Sequence, residues 1–440
     1  MRCNGGVGRR HAAGKIVLAL LAMALLAGCA TPWNAPSGVV ATPTPQFAGG
    51  EPVLPQLQRL YAPAPLPSAA SIISPLALSW LLAGHDEANT FAAPSVPLHG
   101  KMRWFFQTPG PVVASPVVGD GMALVNGGDG VLYAVDTHTG ELRWRAPVGD
   151  TLVAGTAAIA DGVIYVATQG HGLSALRLAT GQSLWTVDIR LPVRAAPMVV
   201  GSLLFVAAGA NDLLCLDRET GREYWEFKSE DVFADFWPTQ GQPAVTLDDG
   251  GLVFIAPGAS TEFNALRLRT GRKAWELTVD SRTVGAPVYN AQAGLVYVAT
   301  WAGYLYAIQA STGKLRWRFA LPEAGRPGVG FASGPALAAN RLFIGDYQGR
   351  IAALDARDGS VLWTYRDGSP LLATPVVGLV NGEAAQVYIA DQYGNLSALD
   401  SQNGSRIWRV YLGELRSAPA LTGTALLAAS VGDHGLFALD

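Results

Sequence analysis

The stretch ASPVVGDGMALVNGGDGVLYAVDTHTGELRWRA (residues 114–146) decides the fold. Short apolar runs alternate in it with turns: one run to GDG, a second to NGGDG, a third ending at Asp136, then a Thr-Gly turn and a fourth run that carries Trp144. Runs of this length, bounded by Gly and Asp, are strands joined by hairpins. Four antiparallel strands in succession make one blade of a β-propeller.

Outward from this unit the pattern repeats, restarting at Ala154, Ala195, Gly241, Gly285, Ser333 and Ala373. Internal repetition at this period is the signature of a propeller or solenoid. An eighth unit starts at Ser417 and reaches Asp440 after only three strands, whereas HGKMRWFF (99–106) is a fourth strand standing ahead of the first unit. The pairs Gly100/Trp104, Gly140/Trp144, Gly181/Trp185, Gly221/Trp225, Gly271/Trp275, Gly313/Trp317, Gly359/Trp363 and Gly404/Trp408 keep one spacing, so the first pair belongs to the last unit. The expected fold is all-β: an eight-bladed propeller of four-stranded antiparallel blades, closed by the N-terminal strand completing the last blade. Closure of this kind leaves few open strand edges. Each Trp is expected to dock on the neighbouring blade, where burial of about 150–250 Å² per ring at roughly 25 cal/mol/Å² is worth about 4–6 kcal/mol gross.

Composition agrees. Of 440 residues, 50% are hydrophobic and 15% charged, and the 51 Gly and 28 Pro are spread at turn spacing instead of forming one block. Residues 1–28 read as a secretory signal: Arg2, Arg9, Arg10 and Lys15 precede the apolar run IVLALLAMALLAG, which is too short for a comfortable span. Its end, Leu26-Ala27-Gly28-Cys29, resembles the bacterial lipobox, which implies cleavage before Cys29 and lipidation of that residue. Loss of those four charges takes the formal net charge from −3 to −7, which argues against a nucleic-acid partner. Cys215 is then the one thiol besides Cys29, so neither an intramolecular disulfide nor a multi-cysteine metal site is expected. Residues 29–98 are rich in Pro, Ala and Ser and read as a tether. Within them SPLALSWLLAG (74–84) is apolar enough to dock on its own domain, a membrane or a partner.

The units resemble the PQQ-like repeat family of propellers, with LYAVD, TG and W in one register from residue 99 to 440. The resemblance implies the fold and leaves the function open between two branches. Quinoprotein dehydrogenases of the family bind PQQ with calcium, often beside a vicinal Cys-Cys disulfide. The propeller lipoprotein of the outer-membrane protein assembly machinery uses the fold as a scaffold.

The enzyme branch needs parts that the sequence does not supply. No Cys-Cys pair is present, and Asp136, Asp217, Asp355 and Asp400 share one repeat position before a Gly turn, which marks them as turn residues. Cys215 falls in a slot held elsewhere by Ala134, Ala307, Ala353, Ala398 and Ala438, so a small buried residue is expected there. The six His show no metal spacing; His171 and His434 fall before Gly in hairpins. No catalytic residue, metal ligand or cofactor is expected, and PQQ with calcium is the runner-up that would contradict this.

A scaffold needs a surface instead. The interval Trp225 to Trp275 is 50 residues against 40 or 41 for those before it, and its insertion KSEDVFADFWPTQ (228–240) offers Phe233, Phe236 and Trp237 as interface anchors. Arg194, Arg282 and Arg416 precede the innermost strands of their units and are expected near the mouth of the axial channel, where they would receive an acidic partner or ligand. LPVR (191–194) is similar to the interblade loop by which the assembly lipoprotein grips its barrel partner. The reading is a lipid-anchored lipoprotein on the extracytoplasmic side of a cell membrane or outer membrane. It serves as a non-catalytic scaffold for protein partners, a monomer within a complex. A quinoprotein oxidoreductase, or a propeller that binds a small ligand or saccharide in its channel, is the alternative.

Overall fold

A computed structural model describes residues 82–149, 155–167, 170, 172–193, 195–209, 212–228, 241–255 and 260–440. They form eight four-stranded antiparallel sheets, the seventh extended by a short fifth strand. Blade 1 is typical, with strands Val117–Gly119, Met122–Asn126, Val131–Asp136 and Leu142–Pro147 from the axis outward. The three inner strands are almost wholly buried, because neighbouring blades cover both of their faces. The outermost strand alternates exposed residues with the half-buried Trp144.

In every blade that Trp faces a small residue on the third strand: Ala134 opposite Trp144, Cys215 opposite Trp225, Ala353 opposite Trp363. Cys215 is fully buried, and burial pushes its thiol up, so it serves as a small apolar residue under the indole. The ladder shifts register beside the Trp, a bulge that turns the ring toward the next blade.

There the ring meets the glycine of the next unit. Gly140 has φ +75°, and a Cβ on it would lie 2.8 Å from Trp104; Gly313 stands in the same relation to Trp275, also at 2.8 Å. Glycine is required twice over, for the left-handed turn and for the indole above it. The indole N–H then donates to a backbone carbonyl of that blade: Trp144 to Leu178 at 2.9 Å, Trp275 to Ala310 at 2.7 Å, Trp363 to Ser401 at 2.9 Å.

The ring closes as the repeat count requires. Met102–Gln107 pairs antiparallel with Gly435–Leu439, Trp104 lies opposite Ala438, and Trp408 of blade 7 donates to Leu98 at 2.7 Å while covering Gly100.

Residues 82–98 fall in the stretch read as tether, yet they pack on the propeller, with residues 87–91 along the inner edges of four blades. Backbone N–H groups of Val245, Tyr289, Leu337 and Val377, one from the innermost strand of each of blades 4 to 7, donate to the carbonyls of Glu87, Ala88, Thr90 and Phe91 at 2.8–2.9 Å. Ala92–Pro94 then pairs parallel with the innermost strand of blade 7, Val376–Val380, as its fifth strand. Asn89 is fully buried; its side-chain N–H donates to the carbonyls of Pro243 and Pro287 at 3.0 Å, and its oxygen accepts from Gln242. Periodicity could not reveal this segment, because it winds across inner strand edges and repeats nothing.

Candidate functional site

The axial plug leaves a cavity of about 340 Å³ at the end of the channel where the chain enters each innermost strand. Its walls are small residues, among them Ala114, Ser115, Thr156, Ala196, Ala286, Ser333 and Thr374, and its floor includes Phe91 and Ala83 of the plug. Small residues are required at this rim: a Cβ on Gly241, Gly285 or Gly334 would collide with the backbone of an adjoining blade.

Arg416 lies at this mouth, where its guanidinium pairs with Glu414 at 2.6 Å. Arg282 does not join it. Its guanidinium lies 3.9 Å over the ring of Trp301, a stacked cation–π contact, and Trp301 meets Tyr347 edge-on at 4.9 Å between centroids. Trp301 and Tyr347 occupy matching second-to-third-strand turns of blades 5 and 6, as Tyr393 does in blade 7; Trp301 is 41% and Tyr393 64% exposed. Aromatics of this kind, with a stacked arginine, are the residue types that dominate protein interfaces. The signal was present in the turns TWAG, DYQG and DQYG, where aromatic residues replace the usual polar ones. Arg194, Phe233, Phe236, Trp237 and Cys29 lie outside the described residues.

The repeat aspartates hold turns. Asp136 accepts from the backbone N–H of His138 and Thr139 at 2.9 Å and pairs with Arg143 at 2.5 Å, which holds its carboxyl well below the usual carboxylate range. Asp355 and Asp400 accept from backbone N–H groups two residues on in the same way.

The described residues that line the axial cavity do not fit a quinone–calcium centre. Calcium takes six to eight oxygen ligands with carboxylates among them. The described lining of the axial cavity holds no carboxylate, and among the described residues no three His, Cys, Asp or Glu side chains come together to hold a metal. The space on the axis below it is taken by Asn89 and Phe91.

Eight blades, tryptophan docking and strand exchange at the seam define a PQQ-like repeat propeller. The chain belongs to the family described as outer membrane protein assembly factor BamB, whose model matches residues 97–151, 128–291 and 282–433. It is 26% identical over 262 residues, 56% of this chain and 64% of the relative, to outer membrane protein assembly factor BamB of Burkholderia pseudomallei. The chain spans about half to two thirds of the length of the curated relatives that it matches. The crystal structure of BamB from Moraxella catarrhalis superimposes with a TM-score of 0.61 at 18% identity, covering 77% of this chain and 99% of that one. Quinohemoprotein alcohol dehydrogenase ADHIIG from Pseudomonas putida gives 0.65 at 14% identity, covering 82% and 80%. At such identities the structural likeness speaks for the fold alone.

Proposed function

We propose that this protein is a lipid-anchored, extracytoplasmic platform for protein partners in the assembly of outer-membrane proteins, without catalytic activity of its own and without quinone or metal. The observation that carries the reading is the plugged axis. The chain's own residues 82–94 fill the space below a small-residue mouth, and what the propeller then offers to solvent is its turns, with Arg282, Trp301, Tyr347 and Tyr393 displayed on one face. Family membership supports the assembly role, and the Leu26-Ala27-Gly28-Cys29 stretch supports the anchor.

The test uses the full chain expressed in its membrane. Cys29→Ser is expected to move the protein from the membrane to the soluble fraction, and Trp301→Ala with Arg282→Glu to reduce recovery of a cross-linked partner at least tenfold, a loss of about 1.4 kcal/mol. Titration of the purified protein with PQQ and calcium, followed by absorbance and dye-linked alcohol oxidation, is expected to give neither binding nor turnover. Stoichiometric PQQ binding with turnover would replace the platform by an oxidoreductase.

A further inference from the structure

The seam between blades 2 and 3 departs from the rule that the other tryptophans follow. At the seam of blades 5 and 6 the Tyr297 hydroxyl and the Trp317 indole N–H both donate to one acceptor, the carbonyl of Ala356, at 2.8 and 3.2 Å. Their counterparts in blade 2 are Tyr165 and Trp185, placed alike, with ring centroids 6.1 Å apart against 5.7 Å. The corresponding carbonyl belongs to Arg218. Among the described residues neither the Tyr165 hydroxyl nor the Trp185 N–H finds a hydrogen-bond partner. Both side chains instead line a cavity of about 320 Å³, together with Val163, Leu184, Arg218 and Asp161.

One residue distinguishes this seam. At the acceptor position the other seams have Thr137, Leu178, Leu268, Ala310, Ala356, Ser401 and Leu98, each 6% exposed or less. Arginine cannot be buried there without a charge partner. Arg218 reaches across the seam to Asp161, 2.5 Å away, while the Trp185 ring keeps its contact with Gly221. Two donors without a hydrogen-bond partner among the described residues therefore face this cavity, beside an apolar wall that includes the 43% exposed Leu184.

We propose that this cavity is a docking pocket for a protein partner, which fills it with one apolar side chain and presents a neutral main-chain carbonyl to Trp185 and Tyr165. The volume suits a single large side chain with its backbone, and unsatisfied donors at a closing interface demand an acceptor. Charge selects the neutral amide over a carboxylate, because Asp161 and Glu219 at the rim outnumber Arg218. The proposal rests on the platform reading and adds a second contact site to it.

Nitrogen-15 spectra of the full chain in detergent would resolve the indole N–H signals, with Trp185→Phe identifying that of Trp185. It is expected to exchange with solvent roughly fivefold faster than the docked indoles, since a net hydrogen bond is worth about 1 kcal/mol. Acetyl-phenylalanine amide at millimolar concentration is expected to shift this signal and leave the others in place. Arg218→Leu, which installs the residue of three other seams, is expected to restore protection and abolish the shift. A Trp185 signal as protected as the rest in the unaltered protein, or one that the probe does not move, overturns the pocket. Loss of the probe effect with partner recovery intact rejects the pocket alone; a partner never recovered rejects the platform reading whatever the probe does.

Discussion

Asp136 has the chemistry of a catalytic carboxylate and the surroundings of a turn. It accepts two backbone N–H bonds and an arginine, and all three favour its charged form. A carboxyl held below its ordinary value contributes stability that is complete above about pH 4, the range in which the unfolded chain titrates, and is lost as pH falls through the folded value. Asp136→Asn is therefore expected to lower the urea midpoint at pH 7, with the difference from the unaltered protein narrowing progressively below about pH 4. Urea titrations at a series of pH values check this; a difference that does not narrow would detach the effect from ionisation. The arginines divide at the same scale. Arg416 and Arg282 both precede innermost strands, but Trp301 lies within reach of Arg282 alone, and its ring draws that side chain away from the axial mouth.

Among the elements, the plug was least legible. Its residues carry no strand period, and three of them, His85, Asn89 and Phe91, take positive φ angles that interrupt any regular element. What holds it is edge chemistry: inner strands have backbone donors facing the channel, and a buried donor left without an acceptor is costly. Asn89 pins this segment to blades 4 and 5 through buried side-chain bonds. Asn89→Ala is expected to destabilise the propeller by about 1–3 kcal/mol while leaving its β-sheet circular dichroism intact. It should also hasten protease cleavage within residues 82–98. Unaltered cleavage and an unaltered unfolding midpoint would mean that the plug is held by its main chain alone.

For the whole molecule, docking makes eight sheets into one closed body. Each blade contributes an indole to one neighbour and a glycine to the other, so the loss of one contact is felt around the ring. Trp317→Ala is expected to cost about 3–5 kcal/mol and to lower a single thermal transition without splitting it. Trp185→Ala should cost less, because its indole N–H is not docked. Equal effects from the two would contradict the undocked indole N–H; a split transition would mean that blades unfold independently.

The amino-acid sequence by itself determined the blade count, the strand order, the circular closure through residues 99–106 and the structural meaning of Trp, Gly and the turn Asp. These are local patterns in one register, set by hairpin geometry and by the period of burial, and a repeat displays them eight times over. Only the tertiary structure decided where residues 82–98 go, that Arg282 stacks while Arg416 faces the axis, and that a cavity lies beside Tyr165 and Trp185 at the seam of blades 2 and 3. Each of those outcomes depends on which residue of another blade lies opposite, a distance in space that no spacing along the chain encodes.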